Sequence, residues 1–264
     1  MVFGGLRKEI RDIYQSRAIL RSLVTKNLFG RYRNSFLGFG WHFVMPIVMI
    51  LVYYIAFTEI RTSSIPDFWV FIASGIFPFN FMLSNLTGGA GAVVSNSGLV
   101  KKMYFPREIL VFAHVISNFI VMVIGYSIIL VAIFISGYGF NLSALAVLPL
   151  LLIVMAMFSM GCALLFSSLT VYVRDIQYTL MSISMVFFFL TPMYFMGSDA
   201  TGILSRIIWM NPFTYFVESF HSIVYLETIP DVGILMMCLL ISIVSFAIGY
   251  AAFARLKKGF AERL

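Results

Sequence analysis

The chemistry this chain offers lies in a few charged and aromatic residues, and they are not arranged as a catalyst requires. No serine sits in a Gly-x-Ser-x-Gly string, and no glycine-rich turn ends in Gly-Lys-Ser or Gly-Lys-Thr. The sequence therefore lacks both a nucleophile elbow and a loop to cradle nucleotide phosphates. The three histidines, His42, His114 and His221, fall in or beside apolar stretches, as do Cys162 and Cys238. The two cysteines read as small packing residues, and no metal site is expected. What remains is positive charge beside aromatic rings. Lys101, Lys102, Tyr104, Phe105 and Arg107 lie in a short stretch between Gly98 and Glu108 that also holds Pro106. Such a set suits either a protein interface anchored by aromatic and Arg side chains or topology charges beside an interfacial aromatic belt. Arg31, Arg33 and Arg174 carry guanidinium groups fit for bidentate phosphate binding, or simply mark helix ends. Farther along, Asn211 and Pro212 have the types preferred for a helix cap and first position, with Phe213 next. Glu218 follows one turn later, able to pair with Arg206, meet a ligand or face solvent.

The elements that must position these residues are apolar runs. Six of them, at about 40–58, 68–84, 109–136, 142–169, 176–195 and 233–254, exclude all 29 Asp, Glu, Lys and Arg residues. Each is near or above the ~20 residues needed to cross ~30 Å of hydrocarbon. Six transmembrane helices in an all-α integral membrane protein are therefore expected. Coupling to protons or sodium normally uses titratable groups at membrane depth, and these runs contain no carboxylate or cation. A passive channel would need a charged ring or selectivity filter, and none is evident. Sixteen of the eighteen Lys and Arg residues fall in the segments 1–39, 94–108 and 255–264 and the Arg174 loop, against Arg61 and Arg206 elsewhere. By the positive-inside rule both termini are cytoplasmic. The net charge of +7 suits anionic lipid or an acidic protein surface and requires no nucleic acid.

Composition points to one membrane domain over 1–264, since 61% hydrophobic and 11% charged residues leave no stretch for a soluble domain. No internal repeat is visible, and the charged segment 1–39 argues against a cleaved leader. Within that segment Leu6, Ile10, Ile13, Tyr14, Leu20, Val24 and Leu28 recur at helical spacing, predicting an amphipathic interface helix, although Arg17 interrupts the apolar stripe. The segment 196–232 is too polar to span and too apolar for an ordinary loop. Ile203, Leu204, Ile207 and Ile208 make one helical stripe, and Phe213, Phe216, Val217, Phe220, Ile223 and Val224 make another. Two short re-entrant helices on the outer face are expected, with the turn at Asn211 facing a watery channel because bare backbone is not tolerated in lipid. Aromatic clusters mark the first run (Trp41, Phe43, Tyr53, Tyr54, Phe57) and the fifth (Phe187, Phe188, Phe189, Tyr194, Phe195). They suit ordinary packing, or a conduit in which sugar rings slide over aromatic faces.

Several strings, taken in order, carry a resemblance. They are Arg31-Tyr32-Arg33-Asn34-Ser35-Phe36-Leu37-Gly38 with Trp41 and Pro46, Ser74-Gly75-Ile76-Phe77-Pro78-Phe79-Asn80-Phe81, and the stretch from Asn96 to Glu108 that includes Lys101-Lys102-Met103-Tyr104-Phe105-Pro106-Arg107. Val173-Arg174-Asp175-Ile176, Leu190-Thr191-Pro192-Met193, Asn211-Pro212-Phe213, Arg255-Leu256 and Phe260-Ala261-Glu262-Arg263-Leu264 complete the match. Together the chain resembles the permease subunits of ABC-2 exporters for O-antigen, capsule and teichoic acid or other polyol phosphate polymers. The resemblance implies a non-enzymatic subunit of the plasma (inner) membrane that forms a homodimer and pairs with two copies of a cytoplasmic ABC ATPase. ATP and Mg would be bound by that partner, with no cofactor on this chain, and the cargo would be a lipid-linked polysaccharide. It further implies that Lys101, Lys102, Tyr104, Phe105 and Arg107 couple to the ATPase. Arg31, Arg33 and Arg174 would receive the anionic head group at the cytoplasmic entrance, and Tyr53, Tyr54, Phe57, Phe187, Phe188, Phe189 and Tyr194 would line the channel. Residues 196–232, with Asn211, Pro212, Phe213 and Glu218, would form the outer gate. A permease for a drug or small lipid is the nearest alternative.

Overall fold

A computed structural model describes residues 11–12, 14–30, 36–60 and 65–264, except for the side chains of residues 39, 42, 46, 53, 54, 56–60 and 261. Among these residues the fold is helical throughout. The elements are α1 (Arg17–Gly30), α2 (Trp41–Ile60), α3 (Phe68–Ala90), α4 (Ser97–Lys102), α5 (Glu108–Ile135) and α6 (Leu142–Leu145). They continue with α7 (Leu148–Tyr172), α8 (Asp175–Leu190), α9 (Gly202–Met210), α10 (Pro212–Val224), α11 (Val232–Leu256) and α12 (Phe260–Arg263). Local chemistry sets their starts. Asn141 caps α6 by accepting from Ser143 N at 3.0 Å, and Asp231 caps α11 through Gly233 N at 2.8 Å and Ile234 N at 3.3 Å. Within the long helices hydroxyls turn back onto their own backbone, as Ser117 does onto the Ala113 carbonyl and Thr170 onto that of Phe166. That arrangement satisfies the polar groups without a partner outside the helix.

Among the described residues four helices are long and apolar enough to cross a membrane: α3, α5, the unit formed by α6 and α7 over 142–172, and α11 with its following turn to residue 259. The first expected span corresponds to the 20-residue α2, whose apolar part is 43–52. The fifth is shorter than the hydropathy suggested. α8 has 16 residues, a rise of about 24 Å, and stops at Leu190 instead of reaching 195. Thr191 is extended, with φ −96° and ψ 132°, as steric contact with the following Pro192 favours.

α3 is the hub. It packs against α2, α5, α7, α8 and α10, and seventeen of its residues are buried, whereas α11 buries only four and presents an apolar face outward. α11 nonetheless forms the closest helix pair of the fold, with α7. A Cβ on Gly249 would stand 2.0 Å from the Gly161 carbonyl oxygen, and one on Gly161 would stand 2.4 Å from Phe246 N. Ser242 and Ser245 donate across the same seam to the carbonyls of Val154 at 2.9 Å and Phe158 at 3.2 Å. Small residues let two backbones approach where hydrocarbon offers no hydrophobic drive. α1 runs along α5, with Leu23 buried and Leu20 and Val24 against the core. Arg17, the flaw in its stripe, is exposed and donates to the Tyr14 hydroxyl at 3.2 Å. The part of the interface helix expected before residue 11 lies outside the described residues.

Candidate functional site

At one end of the bundle, basic and aromatic residues form a platform. α4 ends in Lys101 and Lys102, both exposed, followed by an extended Met103 and a fully exposed Tyr104. Phe105, expected to be an exposed anchor like Tyr104, is instead buried at 8% exposure and belongs to the core. Arg107 is also drawn inward: it donates to the Lys257 carbonyl and lies over the Phe260 ring at 5.7 Å. The next residue, Glu108, is buried in the first turn of α5 and accepts from Lys257 Nζ at 2.5 Å. A carboxylate there also meets the positive end of the helix dipole.

The chain beyond α11 is held in the same place. Phe260 packs edge-on to Phe253 at 5.4 Å and meets Tyr172 at 6.4 Å. Tyr172 donates to the Leu256 carbonyl at 3.0 Å, and Arg263 stands over its ring at 5.8 Å. A Cβ on Gly259 would lie 2.4 Å from the Tyr172 hydroxyl oxygen, so the tail passes close to the end of α7. Arg174, two residues further on, is exposed. α1 reaches the platform too, through Lys26 Nζ donating to Asn96 Oδ1 at 3.1 Å. Two loops, α1 and the tail therefore converge at this end. Arg31 and Arg33 lie outside the described residues. The sequence identified the loop but missed Glu108, Lys257 and Phe260 as its supports, because no local pattern joins positions 149 residues apart.

At the other end, α9 and α10 make a helical hairpin hinged at Asn211. Asn211 Oδ1 accepts from Phe213 N at 3.0 Å and its Nδ2 donates to Thr191 Oγ1 at 2.9 Å, so one side chain caps α10 and ties it to the end of α8. Asn211 is buried, and the turn is satisfied inside the protein rather than facing an opening. Thr214 donates to the Ile208 carbonyl and Tyr215 to that of Trp209, which closes the hairpin. α10 buries Phe213, Phe216, Val217, Phe220, Ile223 and Val224, while α9 leaves Ile203, Leu204, Ile207 and Met210 exposed. Glu218 does not reach Arg206. Its Oε1 accepts from Gly197 N at 2.8 Å, and a Cβ on Gly197 would stand 2.3 Å from that oxygen. Burial holds the Glu218 carboxyl above its ordinary range, opposed by the Gly197 N–H and reinforced by Asp199.

Between the two ends sits an aromatic cluster. Phe187 stacks on Phe213 at 4.8 Å, Phe188 meets Phe79 at 5.8 Å, and Phe158 contacts both Phe213 and Phe216. Of the rings expected on α8, Phe187 and Phe188 thus pack into the protein, Phe189 is exposed, and Tyr194 donates to the Phe189 carbonyl at 3.0 Å. The side chains of Tyr53, Tyr54 and Phe57 lie outside the described ones. Among the described residues no group of His, Cys, Asp or Glu is placed to hold a metal.

Spanning helices, with a basic platform at one end and a capped aromatic hairpin at the other, mark a multi-pass membrane protein. Comparison with known proteins gives the family: residues 19–225 match the ABC-2 type transporter model, and the chain belongs to that family. It is 29% identical over 258 residues to the O-antigen export system permease protein RfbA of Myxococcus xanthus, covering 97% of this chain and 98% of the relative. The protein of the same name from Klebsiella pneumoniae is 26% identical over 246 residues, covering 93% and 95%. The capsule polysaccharide export inner-membrane protein CtrC of Neisseria meningitidis is 22% identical over 253 residues, covering 95% of each chain. Proteins of this family are transport subunits.

Proposed function

We propose that this chain is the membrane subunit of an ATP-driven exporter that moves a lipid-linked polysaccharide of the O-antigen or capsule type outward across the inner membrane. The observation that carries the reading is similarity along nearly the whole chain to permeases named for exporting such polymers. Teichoic acid and related polyol phosphate polymers share the required chemistry, an anionic lipid-borne chain. Two copies of the chain pair with two copies of a separate ATPase, which binds ATP and Mg. The bundle crosses six times, through the four long helices with α2 and α8, and both termini are cytoplasmic. α9 and α10 form the re-entrant outer gate.

In this scheme the ATPases close on nucleotide and press on Lys101, Lys102 and Tyr104. Arg107 and the Glu108–Lys257 pair join that loop to α5 and α11, so a push on the loop moves spanning helices rather than bending a free segment. Phe105 supports the loop from inside. Arg31, Arg33 and Arg174 attract the head-group phosphates at the cytoplasmic entrance. Rings on α2, at the end of α8 and just beyond it, including Tyr53, Tyr54, Phe57, Phe189 and Tyr194, offer weak, repeated contacts to sugars. Phe187 and Phe188 back them, and at the far end Asn211, Pro212, Phe213 and Glu218 set the gate's closed position.

The test is export by the full complex in reconstituted vesicles supplied with a lipid-linked glycan. The double substitution Lys101→Glu/Lys102→Glu is expected to leave the permease in the membrane while abolishing glycan-stimulated ATP hydrolysis and export. Unchanged export would remove the coupling role from this loop. ATPase activity that responds to small lipids or drugs but not to the glycan would replace the substrate class.

A further inference from the structure

A cavity of 310 Å³ lies between α1 and α5, at the edge of the platform where Lys26 meets Asn96, lined by residues 26–28, Gly30, His114, Ser117, Asn118 and Val121. Its floor is polar at a depth where polar groups are costly. Ser117 and Asn118 stand nine and ten residues into α5 from Glu108, about 14 Å along the helix. The floor is also an organised network. Asn118 Nδ2 donates to Asn85 Oδ1 at 2.9 Å and stands 3.1 Å from His114 Nε2, while Asn85 Nδ2 donates to the Phe81 carbonyl at 2.8 Å. His114 Nε2 also stands 3.4 Å from the Ser84 carbonyl oxygen, and with Asn118 Nδ2 engaged in this network Asn118 Oδ1 is left to accept. At the rim Lys26 gives one hydrogen to Asn96 and keeps two. None of the residues lining the cavity is acidic.

A cation at the rim above hydroxyl-accepting groups calls for a ligand with an anionic phosphate followed by hydroxyl donors, and Leu28 and Val121 supply apolar wall beside it. The volume holds about ten waters, enough for a phosphate with a short polyol. We propose that this cavity binds the head group of a resident anionic phospholipid of the phosphatidylglycerol type. Its phosphate meets Lys26, its glycerol hydroxyls donate to Asn118 Oδ1, and α1 is thereby pinned to α5. Basic pockets between helices on the cytoplasmic side are suited to such head groups. The inference relies on the proposed topology only for the choice of leaflet.

The experiment is native mass spectrometry of the purified full chain, incubated with equal amounts of phosphatidylglycerol, phosphatidylethanolamine and phosphatidylcholine. Phosphatidylglycerol is expected to be retained preferentially. Lys26→Gln and Asn118→Leu should each lower its retention about tenfold, the effect of losing a hydrogen bond to or beside a charged group. Lys26 is exposed, so its variant tests the site without disturbing the core. Equal retention of the three lipids, or wild-type retention by Lys26→Gln, would overturn the site. Displacement by millimolar inorganic phosphate would make it a free-phosphate site instead, and displacement by a polyprenyl pyrophosphate would assign it to the cargo lipid. No ATPase is present in the measurement, so a failure here leaves the export reading standing and a failure of export leaves this site standing.

Discussion

Glu108 is buried and its cation is supplied by Lys257 from the far end of the chain, so the pair is asymmetric in its sensitivity. Lys257→Ala strands a buried carboxylate, at a cost of about 3 kcal/mol, whereas Glu108→Gln leaves only a half-exposed cation and costs less. Thermal unfolding in detergent should rank the variants in that order, and the double variant Glu108→Leu/Lys257→Met should recover most of the loss. Glu218 gives a pH-dependent counterpart. Its carboxyl is raised above 4.5 in the folded protein, so the folded state binds the proton more tightly than the unfolded one. The associated stability is present at low pH and is lost as pH rises through the raised value. Glu218→Gln removes the titration. Wild type and variant should melt together at about pH 4 and diverge in favour of the variant toward about pH 8. Parallel curves would show that Gly197 and solvent compensate the charge fully.

Helices α7 and α11 depend on two glycines for their separation. Gly249→Val would drive a side chain into the backbone of Gly161, which cannot rotate aside, so a loss beyond the usual 1–3 kcal/mol of overpacking, about 4 kcal/mol, is expected. Gly98→Val, at a position with open space around it, should be nearly silent in thermal unfolding in detergent, where Gly249→Val is not. The hairpin is sensitive at its hinge. Asn211→Ala removes the cap of α10 and its tie to Thr191, with an expected loss of about 1–2 kcal/mol and faster cleavage between α9 and α10. These elements also show what a sequence reveals. Asn211 with Pro212 was legible because a cap and a first-turn proline act within two residues of each other. The early end of α8 was encoded just as locally in Pro192, but the apolar residues around it extended the apparent span to 195. Phe105 was misread for another reason: its charged neighbours imply exposure, and its burial follows from contacts made by distant parts of the chain.

For the whole molecule, the outward faces of the helices differ in kind. On α11 the exposed side is apolar, with Met236, Leu240, Ile243 and Ile248, as hydrocarbon contact requires. On α8 the exposed side mixes Tyr178, Met181, Met185 and Phe189 with Thr179 and Ser182, a pattern suited to a second copy or a conduit. If the proposed homodimer forms through α8, Met185→Cys is expected to give an oxidised dimer in native membranes and Leu240→Cys none; the reverse result would place the proposed contact on α11. The spanning segments and the basic end could be read from hydropathy and charge alone. The arrangement of neighbours could not, since helix order around α3 is set by volumes and close approaches that no periodicity records.

The attachment of the tail bears on biogenesis. Glu108 leaves the ribosome 149 residues before Lys257 does, so the platform remains unfinished until the last spanning helix has been synthesised and inserted. Chains interrupted before that stage lack the cation that ties the loop to the tail.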